Sequence, residues 1–140
     1  MKLYVLDTDI AGFVQSEHPG VTQRMHLLAA DHAVVTTIIT FGEDLGGWLL
    51  ACRRARDGPA RVKAYARMRR GLDFYQQIAC LPFDEAAATI FDGLRGVKIR
   101  IGANDLSIAA ITLSNGGILV TRNTADFDRV PNLVTEDWTK

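Results

Sequence analysis

Short apolar runs that stop abruptly on a polar residue, each followed by helical spacing, constrain the fold of this chain more than any other feature. Residues 3–6 (LYVL) stop at Asp7, Thr8 and Asp9, and the β-branched run 33–39 stops at Thr40. Residues 78–82, 118–121 and 133–135 repeat the pattern. Continuous apolar runs of this length suit strands buried on both faces of a parallel sheet. Helical spacing fills the intervals: to about Gln15, over 21–30 with Val21, Met25, Leu28 and Ala29, from Thr40 through Trp48 to Cys52, over 60–77, and from Asp84 to Leu94. Strands and helices alternate with no internal repeat or low-complexity segment. The pattern implies a single doubly wound α/β domain over residues 1–140, with a central, mainly parallel sheet flanked by helices.

Residues 102–128 carry the chemistry. Asp105 opens a helix there, where a carboxylate suits the positive end of the helix dipole. The helix runs into the apolar run 118–121, and a polar loop with Arg122, Asn123 and Asp126 follows. A carboxylate at a helix start and another just past a strand can meet in one crevice of an open α/β sheet. Asp7 and Glu43 stand at two further strand-to-helix junctions. Carboxylates gathered this way call for a cation or a shared proton, because like charges otherwise disfavour ionisation. Magnesium and manganese prefer such oxygen ligands. Each acid also has a plain structural role: Asp7 and Asp9 as turn formers, Asp105 as an N-cap, and Glu43 as the capping-box partner of Thr40. Thr121 and Asn123 either support the acidic site by hydrogen bonds or shape a turn. The stripe Tyr65, Met68, Leu72 and Tyr75 reads as core or subunit contact.

The formal net charge of +0 conceals a segregation. Residues 53–70 hold eight basic side chains against one acid, Asp57, whereas acids collect in the C-terminal part. A basic lobe beside an acidic cleft suits a polyanion held on one surface and cut at another, and a solvated helix face is the competing explanation. Cys52 and Cys80 lack C-x-x-C spacing and read as buried thiols of a reducing compartment. No apolar run approaches the ~20 residues of a membrane span, and no signal-peptide pattern opens the chain, so a cytoplasmic protein is expected. Zinc spacing, a Walker phosphate loop and a nucleophile elbow are all missing. His18, His26 and His32 are scattered and read as surface or structural residues.

LDTD at 6–9, TTIITFGEDLGGW at 36–48, RIGANDLSIAAITL at 100–113 and LVTRNTADFDRVPNLVTEDW at 119–138 together resemble the PIN-domain ribonucleases, and within them the VapC-type toxins of toxin–antitoxin pairs. The resemblance implies a PIN-like three-layer fold with an acidic pocket at the C-terminal edge of the sheet. It also implies a metal-dependent endoribonuclease acting on structured RNA, often transfer or ribosomal RNA. By motif, the catalytic and metal-binding residues would be Asp7, Glu43, Asp105 and Asp126, holding Mg2+ or Mn2+. The implied partners are an RNA substrate, a small cognate antitoxin and a second copy in a homodimer. Arg53, Arg54, Arg67 and Arg70 are candidate RNA contacts, since basic side chains on phosphates give salt-dependent binding with little sequence information. Two departures from the family stand out: Asp9 occupies a position where many relatives carry Asn, and the linker 94–101 is short.

Two alternatives compete. A non-catalytic PIN scaffold would bind RNA or protein without cutting. A haloacid dehalogenase-type phosphatase would use Asp7 and Asp9 as its D-x-D pair, but Ala11 stands where that family wants Thr or Val. Its C-terminal half offers only Lys98 and Lys140 for the expected lysine.

Overall fold

The structure, a computed structural model, describes residues 1–28 and 30–140. Its elements run β1 (Leu3–Leu6), α1 (Thr8–Gln15), α2 (Pro19–Leu27), β2 (Ala33–Thr37), α3 (Ile38–Arg54), α4 (Gly58–Tyr75), β3 (Cys80–Leu81), α5 (Glu85–Gly96), α6 (Ala103–Ser114), β4 (Ile118–Val120), α7 (Thr124–Phe127) and β5 (Val134–Glu136). The strands form one five-stranded sheet in the order β3-β2-β1-β4-β5, and every pairing is parallel. Leu6 pairs with Val120 and Val120 with Glu136, so β1, β4 and β5 finish level at one edge. From β1 the chain winds outward to β2 and β3, then crosses to β4 and β5 on the other side. The crevice between the C-terminal ends of β1 and β4 is therefore the topological switch point, where doubly wound sheets place their ligands.

The alternation of side chains along each strand divides the core in two. Val5, Val35 and Leu119 pack against Leu94 of α5, Leu106, Ile108 and Ala109 of α6, and Phe127. Tyr4, Leu6 and Val120 face Ile10 and Ala11 of α1, Val21 of α2 and Trp138. These are the three layers. Leu106 through Thr112 are all buried, so α6 is enclosed nearly all round and carries no amphipathic signature. Gly116, at φ 65°, ends that helix in the left-handed conformation that glycine adopts most cheaply.

Several boundaries differ from expectation for local reasons. The strand expected over 33–39 ends at Thr37, because the Thr37 hydroxyl accepts the Thr40 N–H at 3.2 Å and turns the chain into α3. Thr37, not Thr40, is thus the cap. α2 begins at Pro19, earlier than the expected 21–30, because His18 Nδ1 accepts the N–H groups of Gly20 and Val21. The Ala29 end of that expected helix lies outside the described residues. α6 starts at Ala103 with Gly102 as an N-cap that makes no side-chain bond, so Asp105 sits inside the first turn and does not cap it. The expected loop after β4 contains α7, which carries Asp126. Cys52 is buried and Cys80 only half-buried, and both are free thiols. Among the described residues no helix is long and apolar enough to cross a membrane.

α3 and α4 form a hairpin fastened by aromatics. Trp48 is buried, Arg67 stacks over its ring at 5.2 Å, and Tyr75 meets it edge-on at 6.0 Å. The expected apolar stripe is only partly covered: Tyr65 and Leu72 stay exposed, Met68 and Tyr75 are half-buried, and Arg67, Gly71 and Phe74 also face inward. Gly71 faces the Trp48 ring so closely that an added Cβ would collide with it. Replacing a mid-helix glycine by alanine ordinarily stabilises a helix by about 1 kcal/mol. Here overpacking outweighs that gain, and Gly71→Ala is expected to destabilise the fold by roughly 1–3 kcal/mol in urea unfolding. A more stable Gly71→Ala protein would show that the hairpin is looser than this packing.

Candidate active site

The switch point is built around Asp7. Its main-chain N–H donates to the Val120 carbonyl at 3.0 Å, carrying the β1–β4 pairing one step past Leu6. Its side chain then caps α1 by accepting the Ile10 N–H at 3.0 Å. Position and cap together leave Asp7 only 6% exposed. Burial pushes its pKa from 3.8 to about 6; hydrogen bonds from the Thr121 hydroxyl and the Ile10 N–H oppose the rise, and the charges of Asp9 and Asp105 add to it. Asp105, half-buried in the first turn of α6, is also raised, by burial first and then by Glu43, Asp126 and Asp9. These mutual influences mean that Asp7, Asp9, Glu43, Asp105 and Asp126 lie within electrostatic reach of one another.

Neutral or basic neighbours hold three of these acids in place. The Thr8 hydroxyl donates to Glu43 Oε1 at 2.6 Å and lies 3.2 Å from the Thr40 hydroxyl. Glu43 is therefore free of the capping box proposed for it. Asn123 Nδ2 donates to Asp126 Oδ2 at 2.8 Å, and the Asn123 N–H donates to Thr121 Oγ1 at 3.0 Å. Asp9 is turned to Arg122, whose Nε lies 3.1 Å from its carboxylate and whose guanidinium stacks 5.4 Å from the Phe13 ring centre. Thr8 and Arg122 were not legible as site residues, since only the tertiary fold brings each to its acid.

The donor set is all carboxylate, with no histidine or cysteine, which is the chemistry of a hard divalent cation. Among the described residues, no three acids converge tightly enough to enclose one ion as they stand. Thr8 occupies only Oε1 of Glu43 and Asn123 only Oδ2 of Asp126, so each carboxylate keeps its other oxygen for a cation while its neighbour holds it. In donor chemistry the residues suit such an ion.

The candidate RNA contacts fall on the hairpin. Arg53, Arg54 and Arg70 are exposed. Arg67 is half-buried on Trp48 and donates to Gln15 Oε1 at 2.9 Å, while Gln15 Nε2 and the Tyr75 hydroxyl both donate to Asp44 Oδ2, at 3.1 and 2.6 Å. That network, missed in the sequence, ties α1, α3 and α4 together beside Glu43.

The chain is a doubly wound parallel α/β domain with acids at its switch point, and it matches the PIN domain over residues 4–133. It belongs to that family. Ribonuclease VapC2 of Haemophilus influenzae is 36% identical to it, over 99% of each chain. The fold is similar to that of VapBC2 from Rickettsia felis bound to a DNA fragment from its promoter, with a TM-score of 0.78 and 24% identity over 97% of this chain and 98% of that one. It is also similar to a toxin–antitoxin complex from Klebsiella pneumoniae, with a TM-score of 0.67 and 22% identity over 94% of this chain and 96% of that one.

The raised pKa of Asp7 has a sign that can be measured. The folded chain holds this proton more tightly than the unfolded chain, so the cost of the buried charge is complete above about pH 6 and fades as pH falls toward 3.8. Asp7→Asn keeps an acceptor for the Ile10 N–H and removes the charge. In chelator it is expected to stabilise the fold by roughly 2–3 kcal/mol at pH 8 and by clearly less at pH 5, read from urea unfolding at both values. An equal effect at the two values would rule out burial of a charged Asp7.

Proposed function

We propose that this chain is a divalent-metal-dependent endoribonuclease, the toxin of a toxin–antitoxin pair, acting on structured RNA such as transfer or ribosomal RNA. The observation that carries the proposal is the set of acids at the switch point, with Asp7 and Asp105 both pushed upward by burial first and then by the charges of neighbouring acids. The full-length likeness to a ribonuclease supports it. Asp7, Glu43, Asp105 and Asp126 would hold Mg2+ or Mn2+. Such an ion, when bound, lowers the pKa of a water and neutralises charge on a phosphate oxygen.

The chain's own groups do the rest. Thr121 and the start of α1 fix the buried Asp7, so one carboxylate stays put while the others adjust. Thr8 orients Glu43, and Asn123 orients Asp126. Thr121 and Asn123 are in this sense positioning residues. Exposed Arg53, Arg54 and Arg70 offer contacts to phosphates, whereas Arg67 acts chiefly by fastening the hairpin. Likeness to a toxin–antitoxin complex supports a small antitoxin as partner. Exposed Leu49, Leu50, Val62, Tyr65 and Leu72 on α3 and α4 offer an apolar surface for that partner or for a second copy.

The test is cleavage of total cellular RNA by purified, antitoxin-free protein, with magnesium or manganese and with excess chelator. Discrete fragments that vanish with chelator are expected. Asp105→Asn should keep the fold while lowering cleavage by more than about 100-fold. Cleavage at the wild-type rate by a folded Asp105→Asn protein would sink the assignment, and a folded wild-type protein that cuts nothing with either metal would favour the scaffold.

A further inference from the structure

We propose that the hollow behind the first turn of α6, walled by Arg95, Lys98 and Arg100, binds the phosphate backbone of substrate RNA beside the bond that is cut. The hollow is about 360 Å³ in volume, has an apolar floor that includes Ile101 and Leu106, and has no acid in its lining. A fourth cation stands next to this wall: Arg129 Nη1 donates to the Arg100 carbonyl at 3.1 Å. None of the four basic side chains has a salt-bridge partner among the described residues.

Placement ties the hollow to the acids. Leu106 follows Asp105 in α6, and Arg129 lies three residues after Asp126. The two segments that bracket the cations thus also deliver two of the site carboxylates. An acidic cleft repels a polyanion, and a strand drawn across it needs unpaired positive charge close by. Arginine and lysine here can supply it, and the apolar floor accepts a sugar or base edge between phosphates.

The plain explanation of such residues is complementarity to a helix C-terminus. It covers Arg95 in the last turn of α5 and Lys98 just beyond it. It does not cover Arg100 or Arg129. The left-handed φ of 57° at Lys98 is the ordinary stop of α5, whose last carbonyls accept the Lys98 and Ile99 N–H groups, yet asparagine or glycine would adopt it more readily than lysine. A cation kept at a position that disfavours it points to use of the charge.

This inference rests on the RNA-cleaving function proposed above, and the two can fail separately. Binding would be measured with fluorescently end-labelled bulk transfer RNA on the Asp105→Asn background, so that nothing is cut, across a salt series. Lys98→Asn with Arg100→Gln is expected to weaken binding about 10-fold and to flatten the log–log salt slope by about 1.4, the share of two single-strand phosphate contacts. Thermal stability should hold or rise, because asparagine suits the Lys98 backbone. Lys2→Asn, at the opposite edge of the sheet, serves as a single-charge control, to be compared with Lys98→Asn alone, and should leave the slope unchanged. An unaltered affinity and slope in the double variant would overturn the inference, and a hollow reserved for an acidic peptide would give that same result. If the unmodified chain cuts no RNA while the hollow still governs RNA binding, the cleavage function falls and the binding site stands.

Discussion

The rest of the structure depends on one buried carboxylate. Asp7 is at once the last link of the β1–β4 pairing, the cap of α1 and the most enclosed acid of the site. Those roles conflict energetically. A cap at that point favours the turn from strand to helix, yet burial disfavours the charge that does the capping. The chain keeps both because the central strand of a doubly wound sheet can end only in a crevice. A group placed there is fixed by the sheet and shielded from water. Strain of this kind at a functional site is tolerated when the surrounding core over-determines it, and here both faces of the sheet contribute large buried side chains.

The remaining acids are restrained in graded fashion. Thr8 holds Glu43, Asn123 holds Asp126, and Arg122 diverts Asp9. Asp105 has no side-chain hydrogen bond among the described residues, and its carboxyl is raised by burial and by three neighbouring acids. Its ionisation, like that of Asp7, is disfavoured by its surroundings, and it has no hydrogen-bond donor of its own to offset that. Asp9, with its own arginine, is the acid with least need of a positive charge arriving from outside. That difference separates Asp9 from the four acids matched by motif, although all five interact.

Much of this fold was legible in the sequence because its strands are short, apolar and enclosed. Residues 3–6 required no tertiary information, and the order of strands and helices followed from it. The end of β2 was not legible. Ile38 and Ile39 continue a β-branched run, and only the Thr37 hydroxyl turns them into helix. The acids were legible as a set because each follows a strand or opens a helix. Their restraints were not: Thr8 and Glu43 are 35 residues apart, and Arg122 and Asp9 are 113 apart. Pairs at such separations follow from topology and from no local pattern. Capping misled for the same reason, since Glu43 at the third position after Thr40 satisfies the motif while its side chain points to α1.

A chain with no net charge binds a polyanion only if its charges are sorted in space. Here the sorting follows the fold. The C-terminal edge of the sheet gathers acids, while the α5–α6 linker and the α3–α4 hairpin carry cations to either side of it. In the proposed reaction this makes the two kinds of binding mutually dependent. RNA laid across uncompensated carboxylates meets repulsion that flanking arginines offset only partly, through water and salt. A divalent ion held by those carboxylates removes the repulsion at its source. Asp7 and Asp105 would ionise more readily beside such an ion, because a positive charge next to a carboxylate favours ionisation. Metal, substrate and ionised site would then be favoured together, and the buried charge that costs the free protein stability would serve as a ligand in the proposed complex.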